Sequence, residues 1–145
     1  IVQIRHLSRV YRQGDIEVTA LNRITLDIAA GEFMALMGPS GSGKTSTIAA
    51  MVHHINRSQQ RHVVTLEDPI EYLHRDLSSS ITQREIGSDT DDTATGLQTA
   101  MRQDPDVIVV GELRDPVALD RAIRAAESGV LVLAAVSAAD AASAR

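Results

Sequence analysis

The sequence predicts an α/β fold: a P-loop NTPase-like three-layer α/β/α core with a parallel sheet, preceded by an antiparallel ribbon. Three observations predict it. From residue 32 onward, short apolar runs alternate with helix-length segments, a pattern typical of a parallel sheet with right-handed crossovers. Val107–Val110 is apolar throughout, as expected of a strand buried on both faces. A glycine-rich segment, residues 38–45, stands between one apolar run and a helix.

The elements follow from periodicity and from turn signals. The ribbon is predicted over residues 1–30, from apolar runs at 1–7, 18–21 and 24–28, with a Gly-Asp turn within residues 11–15. The predicted strands are Phe33–Met37, His62–Leu66, Val107–Val110 and Val130–Val136, and the predicted helices are Lys44–Ile55, a segment near Asp92–Arg102, and Pro116–Ser128. Pro116 and Gly129 mark the start and stop of the last helix. We expect residues 1–145 to form one domain, the ribbon over 1–30 and the core over 31–145.

Composition narrows the class of protein. The 145 residues are 43% hydrophobic and carry a formal net charge of −5, so we expect a folded core and no nucleic-acid or anionic-membrane surface. The absence of cysteine excludes disulfides and thiolate zinc sites. No apolar stretch approaches the length of a membrane span. We therefore expect a cytoplasmic protein without membrane insertion.

Residues 38–45 read Gly-Pro-Ser-Gly-Ser-Gly-Lys-Thr, a complete G-x-x-x-x-G-K-[ST] phosphate-binding loop. Its backbone N–H groups can surround phosphate oxygens, the lysine adds a positive charge, and the threonine hydroxyl can hold Mg²⁺. The positive end of the following helix dipole favours the same anion. We therefore predict ATP and Mg²⁺ as cofactors, bound by Pro39, Ser40, Gly41, Ser42, Gly43, Lys44, Thr45 and Ser46, with Thr45 on the metal. The alternative is a glycine-rich turn with an incidental lysine.

Two acids are placed at the ends of predicted strands. Glu67, in the segment Thr-Leu-Glu-Asp-Pro, lies at the edge of the sheet where ligands bind in α/β folds, and an acid there can orient the water that attacks a γ-phosphate. The alternative for this segment is a turn or a helix cap. Glu112 follows Val107–Val110 and Gly111, and we expect it near the metal, bound directly or through water.

The other charged candidates are less specific. Arg84, Arg102 and Arg114 flank the acids in the sequence, and each can pair with a surface carboxylate or reach a γ-phosphate. The five histidines have no metal-ligand spacing, and the adjacent His53 and His54 would point apart on a helix.

Residues 1 to about 47 resemble the amino terminus of an ABC-transporter ATPase, in the runs Val-Tyr-Arg at 10–12, Val-Thr-Ala-Leu at 18–21 and Gly31–Lys44. The resemblance implies that Tyr11 stacks on adenine and that Val18 supports the ring. The alternative for Tyr11 is an ordinary turn tyrosine. The glutamine loop, signature motif and switch histidine of that family do not follow, so transport coupling is not expected.

Residues from about 38 to 142 resemble instead the type IV pilus retraction ATPases of the type II secretion superfamily. The matching stretches are TIAAMVHHINR, TLEDPIEY, QREIG and AMRQDPDVIVVGELRD. The resemblance implies that Glu67 prepares the attacking water, that Glu112 is the second-motif acid, and that Arg102 and Arg114 lie near the nucleotide as catalytic residues. It also implies the strand order 33–37, 130–136, 107–110, 62–66.

The two resemblances overlap at the phosphate loop, so we suspect an engineered chimera, a divergent natural protein being the alternative. Val130 and Ser137 occupy the positions of two histidines of the pilus family, and Ala135 and Ala138 replace threonines. We also expect the hexamer or transporter partners of the parents to be lost. The expected function is Mg-ATP binding with weak or no hydrolysis. The alternatives are an active ATPase of the retraction type and a structural recombination product without nucleotide.

Overall fold

The computed structural model describes residues 2–13, 16–38 and 43–137 of the chain. Within these ranges the chain order is β1 (Val2–Gln13), β2 (Ile16–Ile28), β3 (Phe33–Gly38), α1 (Lys44–Ser58), β4 (His62–Glu67), β5 (Ser80–Glu85), α2 (Thr93–Met101), β6 (Val107–Val110), α3 (Pro116–Glu127) and β7 (Leu131–Ser137). The predicted α/β class is confirmed, and each predicted helix and core strand is present with ends shifted by a few residues at most.

Five strands form one parallel sheet in the order β3-β7-β6-β4-β5. The last strand, β7, therefore lies between β3 and β6, and the strand order implied by the resemblance to pilus ATPases is confirmed. The fifth strand, β5, was not predicted. Its sequence, Ser-Ile-Thr-Gln-Arg-Glu, contains one aliphatic residue, because an edge strand has a partner on one side only and needs no continuous apolar run.

The amino-terminal ribbon is confirmed as an antiparallel pair of β1 and β2, with Val2 opposite Ile28 and Gln13 opposite Ile16. Two details of its prediction were wrong. The apolar runs at 18–21 and 24–28 belong to one strand, β2, because its pairing with β1 continues past the two polar residues between them, with a shift in register at this point. The predicted turn was also too long: Tyr11 pairs with Val18 inside the ladder, and residues 14 and 15 lie outside the described ranges.

The sheet separates two apolar clusters, which confirms the three-layer architecture. On one face α1 packs through Ile48, Met51, Val52 and Ile55 against alternate residues of the strands, among them Val107 and Val109. On the other face α2 and α3 pack against the intervening residues, among them Ile108 and Val110. All four residues of β6 are buried, as expected of a strand that is covered on both faces.

The helix ends follow local rules. The side chain of Asp115 accepts a hydrogen bond from the Val117 N–H, and Pro116 takes the first helical position of α3. Gly129 follows α3 with φ +106°, a conformation that glycine adopts at the end of a helix without the steric strain of other residues. The facing side of α3 is made of alanine, which lets the helix approach its neighbours closely.

Candidate functional site

A cleft of about 720 Å³ opens at the carboxyl ends of the parallel strands. Five chain segments line it: the start of α1, the end of β4 with the residues after it, Ile86 after β5, the start of α2, and the residues between β6 and α3. Since the strands are parallel, the polar residues that follow them share one edge of the sheet. The phosphate-loop helix and both predicted acids thus face one space.

After the end of β3 at Gly38, the described part of the phosphate loop resumes at Gly43, which has φ +87° and is the N-cap of α1. Its carbonyl accepts the Thr47 N–H at 2.9 Å, and the first turn presents Lys44, Thr45 and Ser46 to the cleft. That turn contains no acidic residue, so no carboxylate offsets the positive end of the helix dipole. This end of α1 is suited to bind an anion. The predicted contacts Pro39, Ser40, Gly41 and Ser42 lie outside the described residues.

Glu67 is the last residue of β4 and is half-buried at the wall of the cleft. Its Oε2 accepts hydrogen bonds from Thr65 Oγ1 at 2.8 Å and from Gln83 Nε2 at 3.1 Å. A glycine at 111 lets the end of β6 approach, because a Cβ there would lie 3.4 Å from Glu67 Cα and 3.3 Å from the carbonyl oxygen of Leu66. The predicted catalytic acid is therefore held in a defined position.

Glu112 follows Gly111 and lines the same cleft. Its Oε1 is buried, accepts no hydrogen bond from the described residues, and lies 3.5 Å from Arg114 Nε. A buried carboxylate oxygen without a hydrogen bond is costly unless a cation or a donor occupies the space beside it. Arg114 is the cation beside this oxygen in the structure, and the ion pair offsets part of the cost of burying it.

Within the described ranges, no three side chains from His, Asp and Glu come together as a metal cage. This pattern still fits Mg²⁺, which proteins usually hold through one or two oxygen ligands together with substrate phosphates and water. Thr45 and Glu112 both line the cleft and are the residues that would hold the ion.

The predicted arginines do not all reach the site. Arg114 lines the cleft with its side chain 73% exposed. Arg102 caps the carboxyl end of α2, whereas the first residues of that helix, Asp92 and Thr93, line the cleft. A helix of this length places its two ends about 14 Å apart, so Arg102 lies away from the cleft. Arg84 lies on β5, and its Nε is buried without a hydrogen bond from described residues.

The predicted adenine contacts lie on the ribbon, where Tyr11 and Val18 are cross-strand partners. The ribbon backbone runs beside α1, the helix that carries Lys44. A role of these two residues against adenine stays a prediction.

The sequence reasoning missed several residues at this site. Thr65 and Gln83 hold Glu67, and the Tyr72 hydroxyl lies 3.0 Å from the Ser46 hydroxyl. At the rim, Asp92 accepts the Thr95 N–H at 2.7 Å. That backbone hydrogen bond, followed by the Thr95 hydroxyl, lowers the pKa of Asp92. Only Asp92 carried a sequence signal, an acid before a helix.

Several known proteins are similar to this chain. The family described as type II/IV secretion system protein matches residues 12–145. The twitching motility protein of Neisseria gonorrhoeae is 52% identical over 95 residues, which are 66% of this chain and 25% of that protein. The type IV pilus ATPase PilU of Pseudomonas aeruginosa is 42% identical over 102 residues, 70% of this chain and 27% of that protein.

Solved structures show the same fold. The pilus retraction motor PilT, solved with bound ADP, superposes with a TM-score of 0.70 at 46% identity, over 74% of this chain and 31% of that chain. The ATPase DotB of Legionella pneumophila superposes with a TM-score of 0.70 at 29% identity, over 75% of this chain and 30% of that chain. The chain thus spans roughly a quarter to a third of the relatives that it matches.

The family match begins at residue 12 and so includes most of the segment that resembles an ABC-transporter ATPase. The relatives named above lend that resemblance no support, and an ABC-type amino terminus and a chimeric origin stay predictions. None of the helices in the described ranges is both long and apolar enough to cross a bilayer. From the match over residues 12–145 and the shared fold, the chain belongs to the type II/IV secretion system protein family.

Proposed function

We propose that this chain is a Mg-ATP-binding P-loop domain with weak or no ATP hydrolysis. The observation that carries the proposal is the cleft in which Lys44, Thr45 and Ser46 of α1 face Glu67 and Glu112. A phosphate-binding turn opposite two carboxylates is what a magnesium-bound nucleoside triphosphate requires. One relative, PilT, is described with bound ADP, which supports a nucleotide as the ligand of this cleft.

The roles follow from position and chemistry. The loop backbone over residues 39–43 and Lys44 bind the phosphates, and Thr45 and Glu112 hold Mg²⁺, which neutralises phosphate charge. Glu67 orients the attacking water, and Arg114 supplies positive charge at the rim. Tyr11 and Val18 contact adenine in this proposal. Arg102 lies at the far end of α2, so it takes part in catalysis only if it reaches the nucleotide from outside this cleft.

Weak turnover is proposed because polar groups implied by the resemblance to pilus ATPases are replaced at and beside β7. Val130 and Ala135, at two of those positions, are buried apolar residues. Loss of one group that stabilises the transferring phosphate costs about 3–4 kcal/mol in the transition state, or several hundredfold in rate. A full ATPase of the retraction type and a structural product that binds no nucleotide remain the alternatives.

Titration calorimetry with ATP and Mg²⁺, run beside a phosphate-release assay, tests the proposal. We expect saturable binding with little or no phosphate released. Lys44→Ala should abolish binding, whereas Arg57→Ala, which removes an exposed charge from the last turn of the same helix, should leave it unchanged. Binding that survives Lys44→Ala would show that the nucleotide binds elsewhere. Rapid turnover would favour the retraction-type ATPase, and no binding at all would favour the structural product.

The chain contains a single lysine, Lys44, which permits a direct chemical test. Acylation of amines can modify only this side chain and the chain amino terminus. Bound Mg-ATP should slow acylation of Lys44 relative to that of the amino terminus, as measured by peptide mass spectrometry. Equal rates with and without saturating ATP would contradict a phosphate contact by Lys44.

The origin and assembly of the chain are part of the same proposal. We propose a cytoplasmic location and the loss of hexamer and transporter partners, which sedimentation of the chain with and without ATP can test. A ring-sized species would contradict the loss of a hexamer. Sequencing the source gene across codons 30–50 tests a chimeric origin, since one uninterrupted natural gene would exclude it.

A further inference from the structure

The carboxylate of Glu67 has its two oxygens in different surroundings. Oε2 accepts both hydrogen bonds, one from Thr65 and one from Gln83. Thr65 lies two residues earlier on β4 and so points to the same face of the sheet, and it is directly opposite Gln83 of β5 in the register. The two lone pairs of Oε2 are therefore used, and Oε1 is the oxygen left to contact a water in the cleft.

The amide of Gln83 can adopt only one orientation here. Its Nε2 donates to Glu67 Oε2 at 3.1 Å and to the Tyr72 carbonyl at 2.7 Å, while its Oε1 accepts the His74 N–H at 2.9 Å. A flipped amide would set its oxygen against two acceptors and its NH₂ group against a donor. Both donors and the acceptor of Gln83 are thus committed to this arrangement.

The same contacts join Glu67 to the phosphate-loop helix. Gln83 holds the backbone of Tyr72, and the hydroxyl of Tyr72 lies 3.0 Å from the hydroxyl of Ser46 in the first turn of α1. The acid, the loop after β4 and the helix that carries Lys44 are therefore linked through one glutamine. Gln83 itself is not among the residues that line the cleft.

We propose that Gln83 is a positioning residue: it holds the Glu67 carboxylate so that Oε1 faces the water that attacks the nucleotide, and Thr65 supports the same oxygen. The proposal rests on the proposed role of Glu67. Gln83 lies outside the lining of the cleft, so we expect no contact between it and the nucleotide. Its removal should therefore lower the rate of the chemical step without weakening ATP binding.

The first test measures the Glu67–Gln83 pair without nucleotide, in the 145-residue chain. The melting temperatures of Glu67→Ala, Gln83→Leu and the double variant form a double-mutant cycle. The sum of the two single losses in melting temperature should exceed the loss of the double variant by about 2–4 °C. Thr82→Val, a polar-to-apolar change at the neighbouring position of β5, should be additive with Glu67→Ala. Additive losses for Gln83→Leu would overturn the proposal. If Gln83→Leu does not fold, the cycle of Thr65→Val with Glu67→Ala measures the hydrogen bond from Thr65 to the same Glu67 oxygen, Oε2.

The second test separates positioning from binding. Gln83→Leu should keep the ATP dissociation constant within about threefold of the parent, and lower kcat at least about tenfold with KM unchanged, the loss expected for a hydrogen bond to a charged group. A dissociation constant weakened as far as in Lys44→Ala, or an unchanged kcat, would overturn the proposal. If the parent releases no phosphate, the proposed catalysis by Glu67 fails, while the melting cycle still decides whether Gln83 holds the carboxylate.

Discussion

The hydroxyl oxygens of Ser46 and Tyr72 lie 3.0 Å apart, although the two residues are 26 positions apart in the chain. Ser46 lies in the first turn of α1, and Tyr72 lies in the segment between β4 and β5. This contact ties the phosphate-binding end of α1 to the segment that follows the acid Glu67. Movement of either segment should therefore displace the other.

The first prediction concerns this pair. In a cycle of Ser46→Ala, Tyr72→Phe and the double variant, we expect a coupling of about 1 kcal/mol in the free energy of unfolding, the usual net value of a hydrogen bond. Urea unfolding without nucleotide measures it, so that a separate role of Ser46 in nucleotide binding does not contribute. A coupling indistinguishable from zero would show that the contact does not form in solution.

Asn56 carries the second prediction. It is 1% exposed, and its Oδ1 accepts the N–H groups of Leu77 and Ser79 while its Nδ2 donates to the carbonyl of Arg75. Asn56→Ala leaves these backbone groups without partners, so we expect a loss of about 3 kcal/mol in the free energy of unfolding. Ser58→Ala, an exposed change in the same helix, should stay within about 0.5 kcal/mol. Similar urea midpoints for the two variants would contradict the role of Asn56.

The third prediction concerns pH and the cap of α2. The Thr95 N–H lowers the pKa of Asp92 below its ordinary value of 3.8 in the folded chain. Because the folded value is the lower one, the stabilisation is present above pH 3.8 and is lost as pH falls through the folded value. Asp92→Ala should lower the urea midpoint at pH 6, and the difference from the parent should shrink as the pH falls below 3.8.

The matched control for this cap is Asp91→Ala, which removes a neighbouring exposed carboxylate that does not cap the helix. Its urea midpoint should follow that of the parent across the same pH range. A difference for Asp92→Ala that stays constant down to pH 2 would contradict a role for the ionised carboxylate in the cap.

The fourth prediction concerns the alanine face of α3. Ala122 is fully buried in the cluster between α2, α3 and the sheet. Ala122→Leu adds three carbons to a packed interface, so we expect a loss of about 1–3 kcal/mol in the free energy of unfolding. Ile123→Leu, a change at an adjacent exposed position, should cost less than about 0.5 kcal/mol. Equal stability of both variants would show that the interface has room to repack.

The elements predicted best are those whose signals are local. The apolar strand β6 and the capped helix α3 each show their pattern within a dozen residues. The ribbon was predicted as an antiparallel element, but the break predicted between residues 21 and 24 was wrong, because β2 continues through the two polar residues with a shift in register. The edge strand β5 gave no signal, since its pairing with β4 depends on the neighbour and not on its own composition.

The sequence by itself determined that strands and helices alternate, that residues 38–45 carry a phosphate-loop motif, and that Glu67 and Glu112 come at or just after the ends of two apolar segments. These properties depend on residue type and period, which the chain carries at every position. Only the tertiary structure decided that the start of α1 and both acids share a cleft, that Arg102 lies at the far end of α2, and that Gln83 holds Glu67. Those relationships come from parallel pairing between segments far apart in the chain, so no local pattern records them.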